Sequence, residues 1–143
     1  MLDVACGRGR NAVYLVARGC RVHGVDRDPA ALAAIAHPAI TTAQVDLETS
    51  PPPSLGEGLY DAVIVFHYLH RPLFPSIVAA VRAGGVVIYE TFTRDQAARG
   101  HPRNPAFLLQ PGELPALLAP LRIVRAREGD FEGRYVASVV AIR

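Results

Sequence analysis

The sequence predicts one α/β domain over residues 1–143, built on a mostly parallel sheet that ends in an antiparallel β-hairpin. Five strand-like apolar runs alternate with helical or loop segments, which is typical of parallel sheets because each parallel return needs a long connection. The last two runs are joined by too few residues for such a return, so we expect them to pair antiparallel. Half of the residues are hydrophobic, which excludes a disordered chain.

The first part of the chain predicts three strands and two helices. Asn11 is a suitable N-cap for the first helix, and Gly19 ends it. Asp28 caps the second helix, and Pro29 fits its first turn. The expected strands cover residues 2–5, 21–25 and 40–45, and the expected helices cover residues 11–18 and 30–36.

The second part predicts a long loop, two buried strands and the hairpin. Residues 48–58 contain three consecutive prolines and two glycines, so we expect a loop there. Gly84 and Gly85 are expected to end a helix, and the polar residues 95–105 to form a loop or lid. The expected elements are strand 61–66, helix 73–82, strand 86–89, helix 113–118 and strands 121–127 and 134–142.

The composition excludes several classes of function. All fifteen basic residues are arginine, so the chain has no lysine for a Schiff base or a P-loop. The arginines are spread along the chain, so we expect no nucleic-acid partner. Cys6 and Cys20 are too few for a disulfide framework or a four-ligand zinc site, and we expect no metal. The chain shows no apolar run of transmembrane length and no signal peptide, so we expect a cytoplasmic protein away from membranes.

Polar residues follow the expected strands, at the edge where open parallel sheets bind ligands. The carboxyl ends of parallel strands meet at one edge, so we expect these residues to surround a single crevice. In chain order they are Gly7 and Gly9, then Asp26, then Asp46, then His67, Tyr68 and His70, and last Glu90 and Thr91.

The glycine turn and the acid after the second strand predict a nucleoside site. Gly7 and Gly9 let the backbone approach a ligand, and Asp26 can accept the hydroxyls of a ribose. Asp28 is better placed than Asp26 to cap the next helix, which favours the ligand-binding interpretation. Asp3 lies inside the first strand, where dehydrogenases keep apolar residues, so it favours a ligand other than a dinucleotide. The alternative interpretation of Asp3 is an acid at a strand end on the protein surface.

The motifs resemble those of class I S-adenosylmethionine-dependent methyltransferases over nearly the whole chain. This resemblance implies a three-layer, Rossmann-like sheet, S-adenosyl-L-methionine as methyl donor and S-adenosyl-L-homocysteine as product. The segments that carry it are residues 2–9, 24–26, 44–47, 60–65, 69–70 and 83–88, together with the terminal hairpin.

A narrower resemblance points to a bacterial branch near the tellurite-resistance methyltransferases, through residues 70–73, 89–92 and 104–109. The sequence departs from the class I pattern in three places, one of which is the loop over residues 48–58, where the family's usual helix is lacking. Ala5 stands where the family has its first glycine. The chain also starts at the first strand, so we expect the N-terminal segment that covers the cofactor in this family to be missing.

The resemblance implies a role for each cofactor-binding candidate. Asp3 would act near the amino group of the cofactor, Gly7 and Gly9 would leave room for its methionine part, Asp26 would bind the ribose and Asp46 the adenine amino group. The remaining candidates are the Leu47 N–H beside the adenine, Arg10 at the carboxylate (or exposed to solvent) and Phe66.

Methyl transfer from a sulfonium is an in-line displacement, so the protein chiefly aligns donor and acceptor, and only a protonated acceptor needs a base. The catalytic candidates are His67, Tyr68, His70 and Glu90. A histidine held by backbone hydrogen bonds is the alternative for His70, and a pocket wall is the alternative for Tyr68. A buried Glu90 would need a partner.

Three functions stay open on the sequence alone. Methyl transfer to a small-molecule acceptor by a monomer or homodimer accounts for most of the motifs. A nicotinamide-dependent oxidoreductase would explain Gly7, Gly9 and Asp26 but not Asp3 or the hairpin. A catalytically silent nucleoside-binding module is the third interpretation.

Overall fold

Seven strands form one sheet in the order β3-β2-β1-β4-β5-β7-β6 in the computed structural model, which describes residues 1–143. Strands β1 to β5 are parallel, whereas β7 runs antiparallel to both β5 and β6. This arrangement confirms the predicted fold class. The strands are β1 (Leu2–Val4), β2 (Val22–Asp26), β3 (Ile40–Gln44), β4 (Tyr60–Phe66), β5 (Val81–Phe92), β6 (Arg122–Phe131) and β7 (Arg134–Ile142).

Short helices cover both faces of the sheet. Ala12 packs with Val22 and Ile40 on one face, whereas Phe74 and Leu114 belong to the main core on the other face. None of the helices combines the length and the apolar character needed to cross a bilayer. The α-helices are α1 (Arg10–Val16), α2 (Pro29–Ala33), α3 (Phe74–Ala80) and α4 (Glu113–Leu117), and 3₁₀ turns cover Arg71–Leu73, Arg94–Ala98 and Pro105–Phe107.

The structure confirms one of the two predicted helix N-caps and contradicts the other. The Asp28 carboxylate caps α2 by accepting from the N–H groups of Ala30 and Ala31, at 2.9 and 3.2 Å, as predicted. Asn11 does not cap α1, because the helix already begins at Arg10 and its N-cap is Gly9 in a left-handed conformation.

The predicted end of the third helix is wrong. Helix α3 ends at Ala80, and Val81 is fully buried as the first residue of β5. Gly84 and Gly85 lie inside β5, where the register with β4 shifts after Tyr60. Early burial of Val81 draws the chain into the sheet before the glycines are reached.

The hairpin and the proline-rich segment follow the prediction more closely. Strands β6 and β7 are joined by a two-residue turn, Glu132 and Gly133, both with positive φ. This turn type matches the twist of paired strands. Residues 128–131, which the predicted strands left in the connection, belong to β6 instead. Residues 48–58 contain no helix, as predicted.

The strand order reverses between β1, which pairs with β2, and β4 on its other side. In open α/β sheets, ligands bind at the carboxyl ends of the strands beside such a reversal. The fold therefore places the residues that follow β1 to β5 around the edge of the sheet where a ligand would be expected.

Candidate active site

The turn after β1 is built from residues in left-handed conformations. Ala5, Gly7 and Gly9 have φ values of 56°, 53° and 74°. A Cβ on Gly9 would lie 2.9 Å from Ile35, whereas a Cβ on Gly7 would meet no atom within 4 Å. Gly9 therefore allows the close approach of the Ile35 side chain, and Gly7 leaves open space beside its backbone.

Asp26 ties this turn to the end of β2. Its Oδ2 accepts from the N–H of Gly7 at 2.8 Å, and its Oδ1 accepts from the N–H of Asp28 at 3.0 Å. Each carboxylate oxygen retains a further lone pair, since a carboxylate offers about four acceptor sites. The backbone thus fixes the orientation of Asp26 and leaves acceptor capacity toward the cleft.

A first cavity of about 230 Å³ lies at the tips of β1 to β4. Asp26 and Asp46 both line it. The Glu48 N–H donates to Oδ1 of Asp46 at 3.0 Å and so orients this side chain. We call this space the acidic cleft. Its lining residues are Ala5, Asp26, Arg27, Asp46, Leu47, Glu48, Tyr68 and Phe107.

A second cavity of about 580 Å³ adjoins the acidic cleft and shares Glu48, Tyr68 and Phe107 with it. We call it the outer cavity. Its walls are mainly carbon, from Leu69, Phe92 and Phe107, and two imidazoles and one guanidinium line it as well. The remaining lining residues are His67, His101, Pro102, Arg103 and Asn104.

Asp3 is buried in β1, so the alternative of a surface acid is wrong. Burial raises the pKa of its carboxyl to about 7; the nearby Asp26 adds to this, whereas the Ala12 N–H and Arg10 oppose it. Its Oδ2 is buried without a hydrogen-bond partner. Asp3 lines neither cavity, so it could reach a ligand only across a gap.

His67 occupies a strained position at the end of β4. Its φ is 57°, its N–H donates to the carbonyl of Glu90 at 2.8 Å, and its ring stacks on Phe92 at 4.8 Å. Burial lowers the pKa of the imidazole, and the charges of Arg10 and Arg134 lower it further, against an opposing effect of Glu90. The ring is therefore a neutral base near pH 7, facing the outer cavity.

Tyr68 lies where the two cavities meet. Its hydroxyl is buried without a hydrogen-bond partner, and burial together with Glu48 and Asp46 raises its pKa. The phenol therefore keeps its proton, and its hydroxyl has an unused donor.

The structure does not bring the other two catalytic candidates to either cavity. Nε2 of His70 is buried without a hydrogen-bond partner, so this nitrogen gives no support to the alternative of a histidine held by backbone hydrogen bonds. Glu90 has the partners that burial requires: its Oε2 accepts from Ser138 Oγ and from Arg127 Nη2, the latter at 3.2 Å.

Two of the cofactor candidates also lie elsewhere. Phe66 lines a depression beside Glu90 and Arg127, on the face toward the hairpin. Arg10 is exposed and lines neither cavity. Their predicted contacts stay predictions, as do those of Gly7, Gly9, Asp26, Asp46 and Leu47, although Asp26, Asp46 and Leu47 do line the acidic cleft.

Sequence reasoning missed several lining residues, among them Arg27, Glu48 and His101. Arg27 and Glu48 directly follow residues singled out as ligands, so the strand-tip rule could have been extended by one or two positions. The expected loop or lid over residues 95–105 does contribute His101 to Asn104 to the outer cavity.

Comparison with models of protein families identifies one family. A family model described as a methyltransferase domain matches residues 1–85, which is more than half of the chain. No curated protein matches the sequence.

Solved structures show the same fold at low identity. The chain is similar to an S-adenosylmethionine-dependent methyltransferase from Mesorhizobium loti, with a TM-score of 0.79, 17% identity and coverage of 99% of this chain and 89% of that chain. It is also similar to a TehB-like methyltransferase from Corynebacterium glutamicum, with a TM-score of 0.74, 21% identity and coverage of 99% and 78%. TehB from Haemophilus influenzae gives a TM-score of 0.74 at 18% identity, with coverage of 99% and 57%.

Proposed function

Because the chain belongs to the methyltransferase domain family, with a class I fold and S-adenosylmethionine as its cofactor, we propose that the acidic cleft holds the adenosyl group and the outer cavity holds a small, partly apolar methyl acceptor. The cofactor supplies an activated methyl group on a sulfonium. The observation that carries the proposal is the junction at Tyr68 and Phe107, where a cleft with carboxylates opens into a cavity walled mainly by carbon.

The residues of the acidic cleft fit an adenosyl group. Asp26, oriented by two backbone N–H groups, would accept the ribose hydroxyls, and Asp46 would accept from the adenine amino group, with the Leu47 N–H nearby. Each hydrogen bond to a charged group contributes roughly 1.5–3 kcal/mol.

The methionine part of the cofactor would lie along the turn after β1. The open space beside Gly7 leaves room for it. The unpartnered Oδ2 of Asp3 would act on its amino group through water, and Arg10 would meet its carboxylate from the exposed side. Gly9 would act indirectly, by setting the turn against Ile35.

His67 and Tyr68 are the residues that we assign to the acceptor. His67 is a neutral imidazole in the outer cavity, so it can take a proton from an acceptor that loses one on methylation. Tyr68 keeps its proton and would orient the acceptor by donating to it. Glu90 would support this geometry through its carbonyl, which holds His67.

Calorimetry tests the assigned cleft. We expect Asp26→Ala to weaken S-adenosylhomocysteine binding by roughly tenfold or more, because it removes charged hydrogen bonds. The control is Asp61→Ala, which removes an exposed carboxylate paired with Arg82 and should leave the dissociation constant unchanged. An unchanged constant for Asp26→Ala, or tight binding of NAD in place of S-adenosylhomocysteine, would reject the assignment.

We also propose that the protein acts in the cytoplasm of a bacterium, as a monomer or homodimer and without nucleic acid. Cys6 and Cys20 are both free thiols, which suits a reducing compartment. Seven of the fifteen arginines pair with acidic side chains, which supports the proposal that the partner is not a nucleic acid.

A further inference from the structure

We propose that Arg71 is a positioning residue that holds Phe107 in the wall between the acidic cleft and the outer cavity. Phe107 lines both spaces, whereas Arg71 lines neither. The contents assigned to the two cavities rest on the proposed function, but the role of Arg71 rests on the hydrogen bonds described below.

Phe107 lies on an excursion that leaves the end of β5 and returns to it. We call residues 93–109 the closing loop. Its two ends are joined by backbone hydrogen bonds, from the Arg94 N–H to the Leu109 carbonyl at 3.0 Å and from the Leu109 N–H to the Phe92 carbonyl at 2.9 Å. The loop therefore closes on itself over the tip of β5.

The first half of the closing loop is anchored by Gln96. Its buried side-chain amide donates to the His101 carbonyl at 3.2 Å, and its Oε1 accepts from the Tyr135 N–H at 2.9 Å. This anchor ties the loop to β7 but does not reach the residues around Phe107.

Arg71 anchors the second half, on both sides of Phe107. Its Nη1 donates to the Ala106 carbonyl at 3.1 Å, and its Nη2 donates to the Leu108 carbonyl at 3.0 Å. One planar guanidinium therefore holds the two carbonyls that flank Phe107.

The guanidinium is itself fixed by Glu113 at the start of α4. Nε donates to Oε1 at 2.6 Å and Nη2 donates to Oε2 at 2.8 Å, a bidentate pair. The Gln110 N–H also donates to Oε2, at 2.7 Å. Both side chains are mostly shielded from solvent, with 35% and 20% exposed, so the pair is held in one geometry.

Phe107 depends on this support because its own ring is poorly buried. Its exposure is 45%, whereas its neighbour Leu108 is 2% exposed and packs inside the protein. A ring without core contacts keeps its place only as well as its backbone does. Lysine could not replace Arg71, because a single ammonium lacks the planar fork that reaches Glu113 and both carbonyls together.

The chain has no tryptophan, so Phe107→Trp places a single fluorescent reporter in the wall. We would compare Phe107→Trp alone with its combinations with Arg71→Lys and Arg71→Gln, measuring acrylamide quenching with and without S-adenosylhomocysteine. The matched control is Arg82→Gln, which breaks the exposed ion pair with Asp61.

We expect both Arg71 substitutions to at least double the quenching constant of the reporter and to weaken S-adenosylhomocysteine binding, with Arg82→Gln unchanged. Glu113→Gln, which loosens the guanidinium but leaves Arg71 present, should give an intermediate quenching constant. If an Arg71 variant does not fold, Glu113→Gln tests the role of Arg71 in its place. Quenching in the Arg71 and Glu113 variants equal to that of the reporter alone would overturn the inference. A reporter that never responds to S-adenosylhomocysteine would count against the proposed cleft instead, while the quenching comparison would still decide the role of Arg71.

Discussion

At the scale of single residues, Asp3 is a carboxyl group buried inside the first strand of the sheet. Its carboxyl has a pKa of about 7, mainly because burial disfavours the charge. The folded protein therefore binds more protons than the unfolded chain between about pH 4 and pH 7. It follows that this group makes the free energy of unfolding fall as the pH rises through that window.

We expect Asp3→Asn to remove this pH dependence. At pH 8 the variant should be more stable than the parent by roughly 2–4 kcal/mol, because the parent must bury a charge there. At pH 5, where the carboxyl of the folded parent is protonated, this gain in stability should be smaller. Urea unfolding at pH 5, 6, 7 and 8 provides the measurement. A constant difference between variant and parent at every pH would show that Asp3 does not titrate in this range.

Ala5 carries backbone strain that a glycine would not. Its φ is 56°, and the left-handed region costs a residue with a Cβ roughly 1–2 kcal/mol. We expect Ala5→Gly to raise the free energy of unfolding by roughly 0.5–1 kcal/mol, since part of the gain is lost to the greater freedom of glycine in the unfolded chain.

The matched control for Ala5→Gly is Ala83→Gly, at an exposed position of β5 without positive φ. There the added freedom should lower the free energy of unfolding by roughly 0.5–1 kcal/mol. Equal losses in both variants under urea would contradict the assignment of strain to Ala5.

At the scale of elements, the acid that ends β2 and the acid just before α2 have separate tasks. Asp28 caps α2 through two backbone N–H groups, whereas Asp26 faces the acidic cleft. The caps and the ligand site are therefore separable, although the two side chains are only two residues apart.

We expect Asp28→Ala to lower the free energy of unfolding by roughly 1 kcal/mol, the usual cost of a lost N-cap. Its effect on S-adenosylhomocysteine binding should be small, because Asp26 keeps its bond from the Asp28 backbone N–H. Thermal or urea unfolding and calorimetry on the same sample check both parts. A loss of binding as large as that of Asp26→Ala would contradict the division of tasks.

Local signals predicted these elements well where the signal itself is local. The Asp28 cap and the absence of a helix over residues 48–58 depend on nearby residue types. The predicted start of α1 was wrong, because Gly9 in a left-handed conformation takes the place of a side-chain cap. The predicted end of α3 was also wrong, because Val81 is buried in the sheet and the helix ends before the chain reaches the glycines.

At the scale of the whole molecule, strand order decides which residues meet. Alternating elements were enough to predict the parallel sheet, and the short last connection was enough to predict the antiparallel hairpin. The rule that strand tips converge correctly grouped Asp26, Asp46, His67 and Tyr68 around adjoining cavities.

The same rule failed for contacts made across distant segments. Glu90 pairs with Ser138 and Arg127, which lie 48 and 37 residues away in the chain. The three residues lie opposite one another on the neighbouring strands β5, β7 and β6. Their hydrogen bonds hold the Glu90 carboxylate away from the cavities. Arg71 and Glu113, 42 residues apart, escaped notice for the same reason: sequence spacing carries no information about such pairs.

A crystal structure with S-adenosylhomocysteine tests the central claim most directly. The account predicts the ribose hydroxyls within hydrogen-bond distance of the Asp26 carboxylate, the adenine amino group at Asp46, and the sulfur directed toward Tyr68 and the outer cavity. An adenosyl group bound away from the tips of β1 to β4, with Asp26 and Asp46 free of it, would contradict the account.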